Sequence, residues 1–189
     1  MAIQEFLGIL ILKYTAMGVY HDIAKGGSPV LNLGTAIKAP DCSWGPTGKG
    51  YITTTLEVGM SESLHSLALN ARLLLEASES KNAHIHQVVT IKVHSDRPRL
   101  TFQLWEVARR NFDATRSESP RQAQMTQEAI VTLENSEPVA NGSLRVSFSK
   151  LPERPPTPAT AEGDFVFTEE DLVQIAKSAW ENQEMAPQA

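Results

Sequence analysis

Two carboxylates, Asp41 and Glu57, stand sixteen positions apart, the first after Pro40 and the second between Leu56 and Val58. A pair of acids brought together by folding is a ligand set for one hard divalent cation, which prefers carboxylate oxygen and keeps several waters. Such a cation polarises a phosphoryl or carbonyl oxygen and activates water, so hydrolysis is the chemistry that this pair allows. Each acid also has a plain structural reading. Asp41 could close an Asx turn after proline. Glu57 could alternate onto a solvated face with Thr53 and Thr55, although a carboxylate in a core strand needs a partner.

These residues depend on the elements that carry them. Tyr51 to Val58 is rich in β-branched residues and reads as a strand, preceded by the loop Gly45 to Gly50. Ser61 or Ser63 caps a helix running to about Ala77, with Leu64, Leu67, Ala71, Leu74 and Leu75 on one broad face and Arg72 and Glu76 as an i, i+4 pair. His86 to Val93, Leu100 to Val107, Ala129 to Leu133 and Leu144 to Phe148 read as further strands, with Glu134 to Gly142 as a turn region. Residues 4–20 read as a short buried helix, Gly26 to Pro29 as a turn, 29–37 as weakly extended and 108–126 as a polar loop with some helical character. Thr168 opens a last amphipathic helix through Trp180. The expected organisation is a core domain over 1–150, a proline-rich connector over 151–163, and a helix over 164–189 packing on that core. The order of elements implies an α/β (α+β) fold, with a central mixed sheet flanked by helices.

Composition narrows the partners. The chain has 189 residues and a formal net charge of −5, which gives no global attraction to nucleic acid but leaves room for a local basic groove. The apolar run Phe6 to Leu12 is far short of the roughly 20 residues that span a bilayer, so no membrane is expected. The single cysteine, Cys42, excludes an intramolecular disulfide and suits a reducing compartment, so the expectation is an intracellular protein, cytoplasmic or nuclear. His84 and His86 share one face of an extended segment, but no third His or Cys at ligand spacing makes zinc the expectation. The Gly45 to Gly50 segment has the wrong spacing for a phosphate loop.

Pro40-Asp41, Leu56-Glu57-Val58-Gly59, the helix after them and the strand Gln87 to Val93 resemble the core of the PD-(D/E)XK nuclease superfamily. More narrowly, Glu57 to Ser63 followed by Leu69-Asn70-Ala71-Arg72 is similar to fungal restriction-endonuclease-like proteins related to the Uma2 group. The resemblance implies a restriction-endonuclease-like core in which Asp41, Glu57 and the backbone carbonyl of Val58 hold Mg²⁺ or Mn²⁺. It implies hydrolysis of phosphodiester bonds in nucleic acid, with a homodimer possible. Active members carry a lysine two residues after the glutamate, which orients the attacking water and offsets charge at the scissile phosphate. Here that position is Gly59. Three readings stay open: the lysine's role has moved to Arg72 or Lys92, hydrolysis has been lost and binding kept, or the acidic pocket serves a small molecule. Arginine is a poor proton acceptor, so Arg72 suits a phosphate clamp rather than a base.

Overall fold

Seven strands form one mixed sheet in this computed structural model, which describes residues 2–34, 36–77, 83–107 and 122–181. Among the described residues the sheet strands are β1 (Ile23–Gly27), β4 (Cys42–Pro46), β5 (Ile52–Gly59), β6 (Ala83–Val93), β7 (Arg99–Val107), β8 (Ala123–Glu134) and β9 (Glu137–Ala140), in the order β1-β4-β5-β6-β7-β8-β9. Only β5 and β6 pair in parallel, and they are joined by α2 (Leu64–Glu76); the other pairs are antiparallel. A parallel pair needs a crossover, and this helix supplies it. Two small antiparallel pairs complete the described strands: β2 (Leu31–Asn32) with β3 (Ile37–Lys38), and β10 (Leu144–Val146) with β11 (Phe165–Phe167). With α1 (Ala2–Ala16) and α3 (Glu169–Glu181), this is the expected mixed α/β architecture.

The two faces of the sheet are unequal. Val89, Ile91 and Val93 of β6 point into the larger core with Phe6, Leu10, Phe167, Ile175 and Trp180 of the terminal elements. Their odd numbering places Val88 on the opposite face, where it joins Leu74, Leu75 and Trp105 under α2. Helix α1 buries Phe6, Leu7, Ile9 and Leu10, each worth about 1.5–3 kcal/mol on burial. Phe6 stacks on Phe167 at 4.3 Å, and Lys13 pairs with Asp171 at 2.7 Å. The C-terminal elements therefore share one core with the first helix. Helix α3 begins at a reciprocal cap: the Thr168 hydroxyl accepts from the Asp171 amide, and the Asp171 carboxylate accepts from the Thr168 amide. At α2, Ser63 is the cap, its hydroxyl accepting from the Ser66 amide.

Several boundaries differ from the sequence reading, for local physical reasons. Gly26 and Gly27 belong to β1 rather than to a turn, with a register shift between Lys25 and Gly27. Gly45 and Pro46 belong to β4. A Cβ on Gly45 would lie 2.2 Å from the Tyr51 carbonyl oxygen, so this glycine serves close approach of backbones within a strand. The Glu134–Gly142 region is not all turn. Asn135 and Ser136 both have positive φ and form a two-residue connection, after which β9 returns along β8. Residues 123–126 are strand, continuous with β8; the rest of the 108–126 loop expectation, and the 78–82 junction, lie outside the described residues. The segment after Leu144–Val146 turns at Phe148 instead of continuing as strand. The proline-rich stretch follows, fixed by Arg154, whose guanidinium bonds Glu162 twice, bonds Asp22, and lies over the Phe148 ring.

Candidate functional site

Strand β5 carries Glu57 at its C-terminal end, in the register that sets it beside Thr90 of β6. Thr90 stands opposite Gln103 of β7, which stands opposite Glu128 of β8. The result is a polar row across four strands, on the sheet face that α2 covers with apolar residues farther along. Thr90 donates to Gln103 at 3.4 Å and Gln103 donates to Glu128 at 2.8 Å. Glu57 is only 4% exposed. Its Oε2 lies 2.9 Å from Nζ of Lys38, on β3, while its Oε1 is buried with no hydrogen-bond partner. Burial pushes the Glu57 carboxyl above its ordinary range; Lys38 opposes this, and the charges of Asp41 and Glu62 reinforce it.

Asp41 immediately precedes β4 and is exposed. Its Oδ2 accepts a hydrogen bond from the Val58 amide at 2.7 Å, so β5 itself holds the first carboxylate beside the second. The β4–β5 ladder runs from Trp44 with Thr54 to Cys42 with Leu56, so Val58 lies beyond its last pair. In an extended strand the amide and carbonyl of one residue point to the same neighbour. The Val58 carbonyl therefore points past the end of β4, toward the side on which Asp41 sits.

Gly59 is packed, not vacant. A Cβ there would meet Glu62 Oε2 at 3.0 Å and both Leu67 methyls at 3.0 and 3.1 Å, so the route a lysine would take is already filled. Lys92 of β6 stands directly opposite Gly59, on the face that carries Glu57, and is 8% exposed. Its Nζ donates to the Met60 carbonyl at 2.5 Å, tying down the chain just after β5. Arg72 lies on the exposed side of α2, while Glu76 of that helix accepts from the Ala123 amide. The structure thus gathers Asp41, Glu57, Val58 and Lys92 at one end of the β5–β6 pair and leaves Arg72 in solvent.

Sequence reasoning missed Lys38 and Glu62. Glu62 lies within the Glu57 to Ser63 run and could have been weighed as a third acid. Lys38 lies just before Pro40-Asp41, but nothing in its neighbours marks it as the partner of Glu57.

The histidines belong elsewhere. His84 stacks on Tyr51 with ring centroids 4.4 Å apart, and His86 Nε2 lies 2.6 Å from Glu153, which also accepts from the Tyr51 hydroxyl. His86 and Glu153 border a cleft of about 600 Å³ that Lys150 and Arg154 also line. A second cleft, of about 570 Å³, is lined by Val30, Leu31, Gly45 and Tyr51 among others. Neither cleft includes Asp41 or Glu57 in its lining.

Residues at the β5 end fit a hard cation. An orphaned, buried carboxylate oxygen, a second carboxylate held in place by a backbone amide, and a carbonyl aimed to the same side form an all-oxygen donor set. Among the described residues no group of three or more His, Cys, Asp or Glu side chains gathers at metal-binding distance, so water would complete the shell. That balance suits Mg²⁺ or Mn²⁺ rather than zinc. No family model, no curated protein and no solved structure matches this chain. Its class is mixed α/β, and among the described residues one crossover, through α2, joins a parallel pair of strands. No described helix is long and apolar enough to cross a membrane.

Proposed function

We propose that this chain is a PD-(D/E)XK-type protein that hydrolyses phosphodiester bonds in nucleic acid with Mg²⁺ or Mn²⁺ held by Asp41, Glu57 and the Val58 carbonyl. The single observation that carries the reading is the unpartnered Oε1 of a carboxylate that is only 4% exposed. A buried charge with one bare oxygen is costly unless something cationic completes it. The order of elements supports the same reading, with the first acid just before β4, the second on the neighbouring β5, and β5 leading through α2 into a parallel strand.

When bound, the cation supplies Lewis-acid polarisation of the phosphoryl oxygen and a water of lowered pKa. The chain's own residues do the positioning. The Val58 amide aims Asp41, and the strand fixes Glu57 in the row with Thr90 and Gln103. Lys92 pins the Met60 carbonyl and so fixes the turn that follows the glutamate. The missing motif lysine leaves Lys38 as the cation in contact with Glu57.

A second reading is favoured by that contact: Lys38 already neutralises Glu57, which suits a descendant of the fold that keeps a binding role or acts on a small molecule. Cleavage of mixed DNA and RNA with Mg²⁺ or Mn²⁺ separates the two. The expected result is metal-dependent cleavage by the wild type, lost in Asp41→Ala and Glu57→Ala. Cleavage undiminished in both variants overturns the site assignment. A folded wild type that binds Mn²⁺ without cleaving establishes the second reading.

A further inference from the structure

Lys38 and a divalent cation would draw on the negative charge of the same Glu57 carboxylate, and we infer that Lys38 is a built-in competitor for that cation. The inference rests on the proposed cation site and concerns how it is loaded. Three observations carry it. First, the ammonium lies 2.9 Å from Glu57 Oε2, one oxygen of a carboxylate whose other oxygen, Oε1, is buried without a hydrogen-bond partner. Second, the two partners are unequally embedded, with side-chain exposures of 23% for Lys38 and 5% for Glu57. The carboxylate is fixed in the sheet while the lysine reaches it from solvent on a flexible four-carbon stem. Third, Lys38 ends a hairpin built on only two residue pairs, Leu31 with Lys38 and Asn32 with Ile37. Its first strand is anchored through buried Leu31 and Leu33, whereas Ile37 on the return strand is 75% exposed. So short a pair adds little stability of its own, and the return strand is the easier part to displace.

The physical need is plain. A carboxylate buried in a sheet must have a positive partner whether or not metal is present. Lys38 fills that need without the cation and leaves when it arrives. By linkage, the factor by which the ion pair weakens cation binding equals the factor by which the cation weakens the ion pair. A pair with a buried carboxylate and a lysine partly in water lies between the exposed and the buried cases and corresponds to roughly one order of magnitude in affinity.

Calorimetric titration with Mn²⁺ of the wild type, Lys38→Met and Glu57→Gln tests this. Magnesium titration of the wild type, read at the lysine ¹⁵Nζ resonances, runs alongside. Mn²⁺ should bind Lys38→Met about ten-fold more tightly than wild type and should be lost from Glu57→Gln. The Lys38 ammonium signal should move as Mg²⁺ is added and stop moving at saturation. Binding to Lys38→Met but not to wild type also supports the competitor. Equal or weaker binding to a folded Lys38→Met overturns it while leaving the cation site standing. No binding to either protein removes the cation site itself, and the competitor with it. Should Lys38→Met fail to fold, the wild-type resonance decides: a Lys38 signal unmoved at saturating Mg²⁺ overturns the inference.

Discussion

Glu57 and Glu162 are both held by a basic side chain, yet their surroundings drive them in opposite directions. Glu162 has Arg154 across both oxygens, takes the Thr157 amide as well, and is held down at about 2. Glu57 has one oxygen on Lys38, the other on nothing, and is pushed upward by burial. Arg154 itself reaches from the proline-rich stretch to Asp22 and lies 5.0 Å from the Phe148 ring centroid, so its cluster fastens distant parts of the chain together. A carboxylate whose oxygens are all engaged acts as a structural tie. One left half-engaged in a buried place is the feature on which the proposed cation site rests. The comparison locates the candidate site better than any count of acids does.

Replacing the proposed ligands should break this contrast most. Asp41→Ala and Glu57→Ala are each expected to weaken Mn²⁺ binding by at least on the order of 100-fold, since groups one shell farther out already cost 10–100-fold. Glu162→Ala should leave Mn²⁺ binding unchanged in the same calorimetric assay. Next comes Gly59→Lys, which puts a side chain where Leu67 and Glu62 already sit. It should destabilise the fold by about 1–3 kcal/mol, seen as a lower urea midpoint, and should not create a working lysine. Arg154→Ala removes the tie to Asp22 and Glu162 together with the contact over Phe148. A loss of about 1–2 kcal/mol is expected, read as a fall in Tm of a few degrees.

The smallest effect is in pH dependence, where the two acids carry opposite signs. Glu162 titrates lower in the folded chain than its ordinary 4.5, so its contribution is complete above that value and fades as pH falls toward about 2. Glu57 titrates higher when folded, so its contribution is greatest below its ordinary range and is lost as pH rises through the raised value. Urea unfolding at a series of pH values should therefore show Glu57→Gln gaining on wild type as pH rises, and Glu162→Gln losing ground over the same climb. Parallel curves for the two variants would erase the distinction drawn between the sites.

Much of this arrangement was legible beforehand because its causes are local. The β-branched run of β5, the apolar face and serine cap of α2, and the Thr168 cap of α3 all follow from neighbours within a few residues. Asp41 and Glu57 could be paired on paper, and in the structure Asp41 accepts from the amide of Val58, the residue after Glu57. Nothing local announces Lys38, because its meeting with Glu57 depends on a hairpin closing and then docking. The β1 strand was hidden because its glycines are used for pairing and close approach, while the usual expectation for glycine is a turn. β9 was hidden behind a two-residue connection too short to separate it from its flanks. Gly59 misled in a different way. It reads as the place where the motif lysine is missing, and in the structure Leu67 and Glu62 pack there.

The sheet's outermost strands, β1 and β9, also bear on how copies of this protein meet. Strand β9 has only four residues, with Pro138 among them, and β1 carries Lys25 and an irregular register at its glycines. Prolines, bulges and lysines at sheet margins deter another chain from adding itself as a further strand. Among the described residues, the two margins of the large sheet are thus poor templates for runaway β-stacking.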